Sequence, residues 1–318
     1  MNSLASQKLN QQGDSSMSKA DTPLPLQVRR WLLAITAILI THSSLAAPLP
    51  NEVTINGVEF VLIPEGWFYK PHDNARIWLD SYYIAKYEAR ARDLVSYLNA
   101  PAGENAVYEL TETNCAISRN FFGQYLQKRP EADYPATHMS WQLSNSWANW
   151  MGFRLPSEAE WEKAARGDDQ RIYPWGDEFP DDTYAGFNTR SLCYTWPVDS
   201  FKKGVSPYGV YNMAGNVREF VADWYNEEFN RSLTSGTKNP IPASSGTTIE
   251  NAPSAFDAGP WKMLKGGRWA AVPERIRISA RVRYLPNRTF RCNGTRFAVD
   301  VATVLAHINQ GHATVSQR

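Results

Sequence analysis

The chain has 318 residues, 33 Lys and Arg against 32 Asp and Glu, and a formal charge of +1. With 43% hydrophobic and 20% charged residues it has the composition of a globular protein, not a disordered or fibrous one. The balanced charge excludes a basic footprint for nucleic acid. Three cysteines, with no CxxC pair, exclude a disulfide-dense scaffold and a structural zinc site. One disulfide among Cys115, Cys193 and Cys292 stays open, in any of three pairings.

The N-terminus reads as a targeting segment. Met1 to Gln27 is polar; Arg29-Arg30, the apolar run Trp31 to Ile40 and a small-residue site at Ser44-Leu45-Ala46 follow. That order describes a signal peptide with cleavage after Ala46, and Arg29-Arg30 resembles a twin-arginine export signal. The apolar run is too short to span a membrane, which takes about 20 residues. The alternative is a buried N-terminal helix.

Further along, Val53 to Ile63 predicts a hairpin around Asn56-Gly57, a pair suited to a type I′ turn. Asp93 to Leu98 predicts a short helix capped by Asp93. Ser140 to Met151 has helical spacing at Leu143, Trp147, Trp150 and Met151. Ser157 and Glu160 form a capping box for a helix over 158–166, stopped by Gly167. Tyr173 to Asp177 reads as a turn, and Asn226 to Pro260 as a polar surface insertion. Few helices, many turns and 13% aromatic residues predict one irregular α+β domain over 47–308, with a short tail at 309–318.

Seven blocks occur in order: Tyr83 to Glu88 (YIAKYE), His138 to Trp141 (HMSW), Arg154 to Gly167 (RLPSEAEWEKAARG), Tyr173 to Gly176 (YPWG), Tyr211 to Phe220 (YNMAGNVREF), Lys265 to Trp269 (KGGRW) and Asn293 to Ala298 (NGTRFA). Together they resemble the formylglycine-generating enzyme, or sulfatase-modifying factor, family over nearly all of Val53 to Val301. The resemblance implies a single domain of the C-type-lectin-like superfold with little regular secondary structure. It also implies structural calcium at Asn212, Gly215, Val217 and Glu219, bound through main-chain oxygens and one carboxylate, a donor set calcium accepts. A glycine turn without metal is the alternative. A second family calcium site matches only around Asn188-Thr189.

The family's thiol enzymes carry two cysteines after the Gly-Gly block and use them to bind copper. Here that stretch, Trp269 to Arg277, has none, and Arg268 replaces the usual Ser. The family's iron enzymes need three histidines on an added domain; only His72 and His138 lie between the signal segment and Val301, where the resemblance ends. Neither chemistry transfers. What remains between Arg268 and Arg296 is eight arginines (268, 275, 277, 281, 283, 288, 291 and 296) and one carboxylate, Glu274. Planar cationic forks suit a carboxylate- or phosphate-bearing ligand. Arg268, Trp269, Arg275 and Arg277 are the candidate substrate-binding residues, and Glu274 is the candidate general base. Loop bracing by individual arginines, and a structural ion pair for Glu274, are the alternatives.

For an exported member without the cysteines, the resemblance implies the periplasmic branch that matures a siderophore. Such a protein oxidises the dihydropyoverdine chromophore to an aromatic dihydroxyquinoline, with molecular oxygen as electron acceptor and no nucleotide cofactor. Its partner is the small-molecule precursor, alongside other periplasmic maturation enzymes. A non-catalytic binding module and a helper of a partner enzyme are the competing expectations.

Overall fold

Thirteen short strands and five helices follow one another in the described residues, 48–70, 75–106, 108, 116–130, 133–192, 194–242 and 259–316 of the computed structural model. The expected signal segment, His72, Cys115, Cys193 and the middle of the polar insertion lie outside them. The strands are β1 (Glu52–Ile55), β2 (Val58–Ile63), β3 (Gly66–Lys70), β4 (Ala75–Leu79), β5 (Tyr82–Ala85), β6 (Ile117–Arg119), β7 (Tyr125–Gln127), β8 (Arg218–Trp224), β9 (Lys262–Lys265), β10 (Val282–Tyr284), β11 (Asn293–Thr295), β12 (Ala298–Asp300) and β13 (Ala313–Val315). The helices are α1 (Ala91–Asn99), α2 (Trp141–Trp150), α3 (Glu158–Arg166), α4 (Glu227–Ser232) and α5 (Val301–Asn309). Leu49–Arg318 is one compact unit. None of the described helices is long and apolar enough to cross a membrane.

The β1–β2 hairpin forms as expected. Asn56 and Gly57 have φ 49° and 77°, the left-handed pair a type I′ turn demands. It sits in an antiparallel sheet of order β12-β5-β2-β1-β13, so the last strand closes beside the first. A second sheet, β10-β9-β8-β11, pairs β11 parallel to β8. Phe60 and Tyr83 of the first sheet share a core with Phe220 and Leu264 of the second. Phe297 packs edge-on against Trp147 at 4.9 Å in the same core, which bears out aromatic packing as the cohesive element. The Tyr173 turn is closed by paired main-chain bonds between Tyr173 and Gly176, and Tyr173, Trp175 and Tyr184 stack at 5.0 Å intervals.

The capping box expected at Ser157 is present, and Ser140, for which no cap was expected, caps a second helix. Ser140 Oγ accepts from Leu143 N, and Ser157 with Glu160 forms the complete capping box of α3. Asp93 is not a cap. The helix begins one turn earlier, after an extended Arg90, and Asp93 instead takes the Arg90 guanidinium at 2.8 Å. Trp150, expected in the core, is 43% exposed and leans on Tyr97, because the buried face of α2 runs through Leu143, Ser144, Trp147 and Ala148. The start of the polar insertion is packed, not loose. Asn226 caps α4, and the chain around Lys238 runs parallel to Trp78 with main-chain bonds on both sides. Cys292 is free and buried, which removes two of the three disulfide pairings.

Helix α3 carries buried charge. Glu158 and Glu162 face Lys70, Lys265 and Arg281, with Lys70 Nζ to Glu158 at 3.1 Å and Lys265 Nζ to Glu162 at 2.8 Å. These cations hold the Glu158 carboxyl far below the usual range. Asp223, fully buried beside them, accepts the Glu158 main-chain N–H at 2.7 Å. Burial, and then the Glu158 charge, push its carboxyl up to about 8. The stability from this bound proton is complete below the unfolded value near pH 4 and is lost as pH rises through about 8. Asp223→Asn keeps an oxygen for the Glu158 N–H. Its stability advantage over the wild-type chain should therefore grow from pH 4 to pH 8, to roughly 2 kcal/mol or more, in urea unfolding at stepped pH. A difference independent of pH would refute the assignment.

Candidate functional site

The strand order of the second sheet gathers cations that are far apart in the chain. Arg218 opens β8, Arg283 sits in β10, Arg281 precedes it, and Arg268 and Arg275 come from the loop and 3-10 turn after β9. Gly267 lets that loop close. At φ 78°, a side chain there would meet Arg275 O at 2.6 Å. The five arginines line a cavity of about 510 Å³ whose walls include Tyr225, Ala271 and Val282 and, among the described residues, no carboxylate and no histidine. A second cavity of about 600 Å³ shares Tyr225, Arg275 and Arg281, and adds Arg277, Glu274 and Glu227.

The charges of the smaller cavity are poorly neutralised. Among the described residues only Arg281 of the five has a carboxylate partner, Glu158 Oε1 at 2.5 Å. Arg283 lies over Trp261 at 4.2 Å, and Arg268 points one nitrogen at Cys292 Sγ at 3.6 Å. Arg218 is the extreme case. Its Nε is buried without a partner among the described residues. Burial, followed by the nearby Arg268 charge, pulls its guanidinium down to about 10. Such a group gains from any anion placed beside it.

The structure separates the sequence-derived residues. Arg268 and Arg275 line the smaller cavity, and Arg277 lines only the second, from an exposed position. Trp269 is not a cleft residue. It is fully buried against Val217 and Cys292, with its indole donating to Ser191 O at 3.1 Å. Glu274 is exposed on the rim of the second cavity and makes no ion pair with a described residue. Arg296 braces the fold, and Arg288 is exposed away from both cavities. Arg218 and Tyr225 were missed. Arg218 lies inside the YNMAGNVREF block, read only for metal ligands, and nothing in a linear window shows that β8 and β10 bring it to the other arginines.

The block from Asn212 to Glu219 forms a tight bend. Gly215, at φ 83°, approaches Gly186 so closely that a side chain would meet its carbonyl at 2.4 Å. Both Glu219 oxygens are engaged by Arg296, at 2.7 and 2.9 Å, and one also accepts from Trp161 at 2.6 Å. Beside them lies Glu88, fully buried, accepting amide N–H groups from Asn216 at 2.8 Å and Asn212 at 3.0 Å. Burial and the Glu219 charge push the Glu88 carboxyl up to about 8. Asn212 Oδ1 is buried without a partner among the described residues. An orphaned hard oxygen next to two carboxylates and one guanidinium fits a hard cation, although Glu219 is already committed to Arg296. Glu88, absent from the sequence-derived set, is the second carboxylate of the block.

Comparison with known proteins places the fold in a family. A family model for the sulfatase-modifying factor enzyme 1-like domain matches residues 44–301. The chain is 34% identical over 194 residues to the formylglycine-generating enzyme of Thermomonospora curvata, covering 56% of this chain and 59% of that one. It is 34% identical over 174 residues to the hercynine oxygenase of Mycobacterium tuberculosis, covering 54% and 38%. It thus spans less than two thirds of these relatives' own lengths. The solved structure of PvdO from Pseudomonas aeruginosa shares the fold at a TM-score of 0.57 and 24% identity, over 80% of this chain and 100% of that one. With its motif blocks holding the same bends and braces that build the α+β fold, the chain belongs to the sulfatase-modifying factor enzyme 1-like family.

Proposed function

We propose that the chain is a periplasmic oxidoreductase of siderophore maturation. It oxidises the dihydropyoverdine chromophore to the aromatic dihydroxyquinoline, as its resemblance to the pyoverdine-maturation protein implies. One observation carries the reading: the stretch after the Gly-Gly block, where the family's thiol enzymes keep their cysteines, builds an arginine-lined cleft here. A catechol substrate supplies its own electrons, so the protein has to orient it and favour its deprotonated form. Five guanidiniums with one carboxylate partner among them do both, by attracting the anion. Two electrons and two protons leave the dihydro ring, and molecular oxygen takes them to become hydrogen peroxide. Glu274, on the rim of the adjoining second cavity, accepts a proton. An oxygenase among the relatives supports oxygen as acceptor.

One observation favours a second reading. The smaller cavity has no carboxylate or histidine among its described lining residues, and Glu274 is exposed, which suits a binding module as well as an enzyme. Incubating the purified protein with dihydropyoverdine in air and recording the chromophore spectrum separates them. Product formed by the chain alone supports the oxidase, binding without product supports the module, and turnover only with a second periplasmic protein supports a helper. Arg218→Met should weaken substrate binding at least tenfold at an unchanged fold. Glu274→Gln should melt like the wild-type protein, because the side chain is exposed, and lose turnover by about 10²-fold. Wild-type turnover in that variant would remove Glu274 from the mechanism.

Calcium completes the proposal as a structural ion. Asn212 Oδ1 with the main-chain oxygens of Gly215 and Val217 would hold it, together with Glu219. It would supply charge balance and no redox chemistry. Chelation should then lower the melting temperature and added calcium restore it by mass action. Asn212→Ala should abolish that response while leaving the Glu219–Arg296 pair in place. An unchanged melting curve under chelation, with no calcium by elemental analysis, would reject the ion.

A further inference from the structure

The cleft gathers more positive charge than the described fold balances. Seven arginines line the two adjoining cavities, against Glu227 and Glu274 on their walls and Glu158 behind Arg281. Glu227 is already engaged. Arg231 donates to one of its oxygens at 3.0 Å and the Tyr225 hydroxyl to the other at 2.6 Å. Glu274 lines only the second cavity. Glu219 follows Arg218 along β8, where successive side chains face opposite sides, and both its oxygens are held by Arg296. Arg218, Arg268, Arg275 and Arg283 therefore share the smaller cavity without a carboxylate among the described residues.

Guanidiniums keep their proton at neutral pH, so only a counter-ion relieves their mutual repulsion. Arg218 registers that repulsion. Burial, followed by the Arg268 charge, pulls it down to about 10, and its buried Nε has no partner among the described residues. Arg154 also loses water, yet its carboxylate partners Glu160 and Asp300 shift it the opposite way. The walls of the smaller cavity between the arginines include Ala270, Ala271 and Val282, which strengthens every charge interaction inside it.

The origin of the forks sets the shape of the missing charge. Arg218 opens β8, Arg268 and Arg275 come from the loop and the 3-10 turn after β9, and Arg283 comes from β10. A carboxylate offers two oxygens in one plane, which a single fork satisfies. A tetrahedral oxyanion offers oxygens in several directions and takes forks from several elements at once.

We propose that the smaller cavity is a site for a free tetrahedral oxyanion of the inorganic phosphate class, which balances the cleft at rest and competes with the anionic substrate. The competition rests on the function proposed above, whereas the oxyanion site rests on the arginines alone.

The test is isothermal titration of the full chain with inorganic phosphate, at an ionic strength held constant with chloride. Phosphate should bind and raise the melting temperature by mass action, and acetate should bind at least tenfold more weakly. Arg218→Met should weaken phosphate binding at least tenfold. So should Arg275→Met, whose exposed side chain can be removed without disturbing the core. With dihydropyoverdine as substrate, phosphate should raise KM in proportion to its concentration and leave kcat unchanged. The proposal is overturned if phosphate binds no better than chloride, if acetate binds equally well, or if both variants bind phosphate like the wild-type chain. It is also overturned if turnover proceeds with a KM indifferent to phosphate. Tenfold tighter binding of a phosphate monoester would overturn the free ion in favour of an ester. A chain that binds phosphate as described, yet neither binds nor oxidises dihydropyoverdine, removes the function proposed above and leaves the oxyanion site in place.

Discussion

The guanidinium of Arg296 is the joint on which the rest of the structure depends. Fully buried, it donates to both oxygens of Glu219 in β8, to Ala85 O at the end of β5 and to Tyr211 O at the entry to the Asn212 bend. One side chain thus ties the first sheet, the second sheet and the loop that feeds the cleft strand. Removing one partner of such a pair leaves the other charged and dry, at a cost of about 3–5 kcal/mol, a large share of a typical domain's stability. Few long helices or wide sheets compensate here, so irregular backbone is held in place by polar joints of this kind.

Buried charge is handled in two opposite ways. Around α3 the cations Lys70 and Lys265 meet Glu158 and Glu162 within salt-bridge distance, and the network is closed to water. Around the cleft, Arg218, Arg268, Arg275 and Arg283 have no carboxylate partner among the described residues. Arg281 belongs to both, lining the cleft while Glu158 holds its guanidinium. The paired network therefore fixes one wall of the cationic one. The field inside the cleft is left for a ligand to satisfy, because the core keeps its own carboxylates for itself.

How much of this was legible in the sequence depended on the range of the interaction. The Asn56-Gly57 turn and the Ser157–Glu160 box were readable because their causes lie within four residues. Asp93 misled because the helix start is set by Arg90 being extended against Pro135, a contact 45 residues away in the chain. Trp269 and Glu274 misled for a related reason. A linear window counts residue types but does not say which way a loop turns, and this loop turns Trp269 inward and Glu274 outward. The cation content of the cleft was visible as an arginine run, whereas Arg218 needed the order β10-β9-β8 before it could join.

The motif blocks that make the family recognisable are therefore evidence about the frame more than about the chemistry. The RLPSEAEWEKAARG block supplies the capping box and Glu158. YNMAGNVREF supplies the Asn212 bend and Glu219, and NGTRFA supplies Arg296 and the Phe297 ring of the core. Each of these residues would be required whether the cleft held copper, a siderophore or nothing. What distinguishes this chain lies between Arg268 and Arg283, where no brace demands a particular side chain at Arg275 or Arg277 and both point into open cavities. A frame secured elsewhere is free to change chemistry at that loop. The guanidiniums gathered there line an open cavity without disturbing a joint that holds the sheets together.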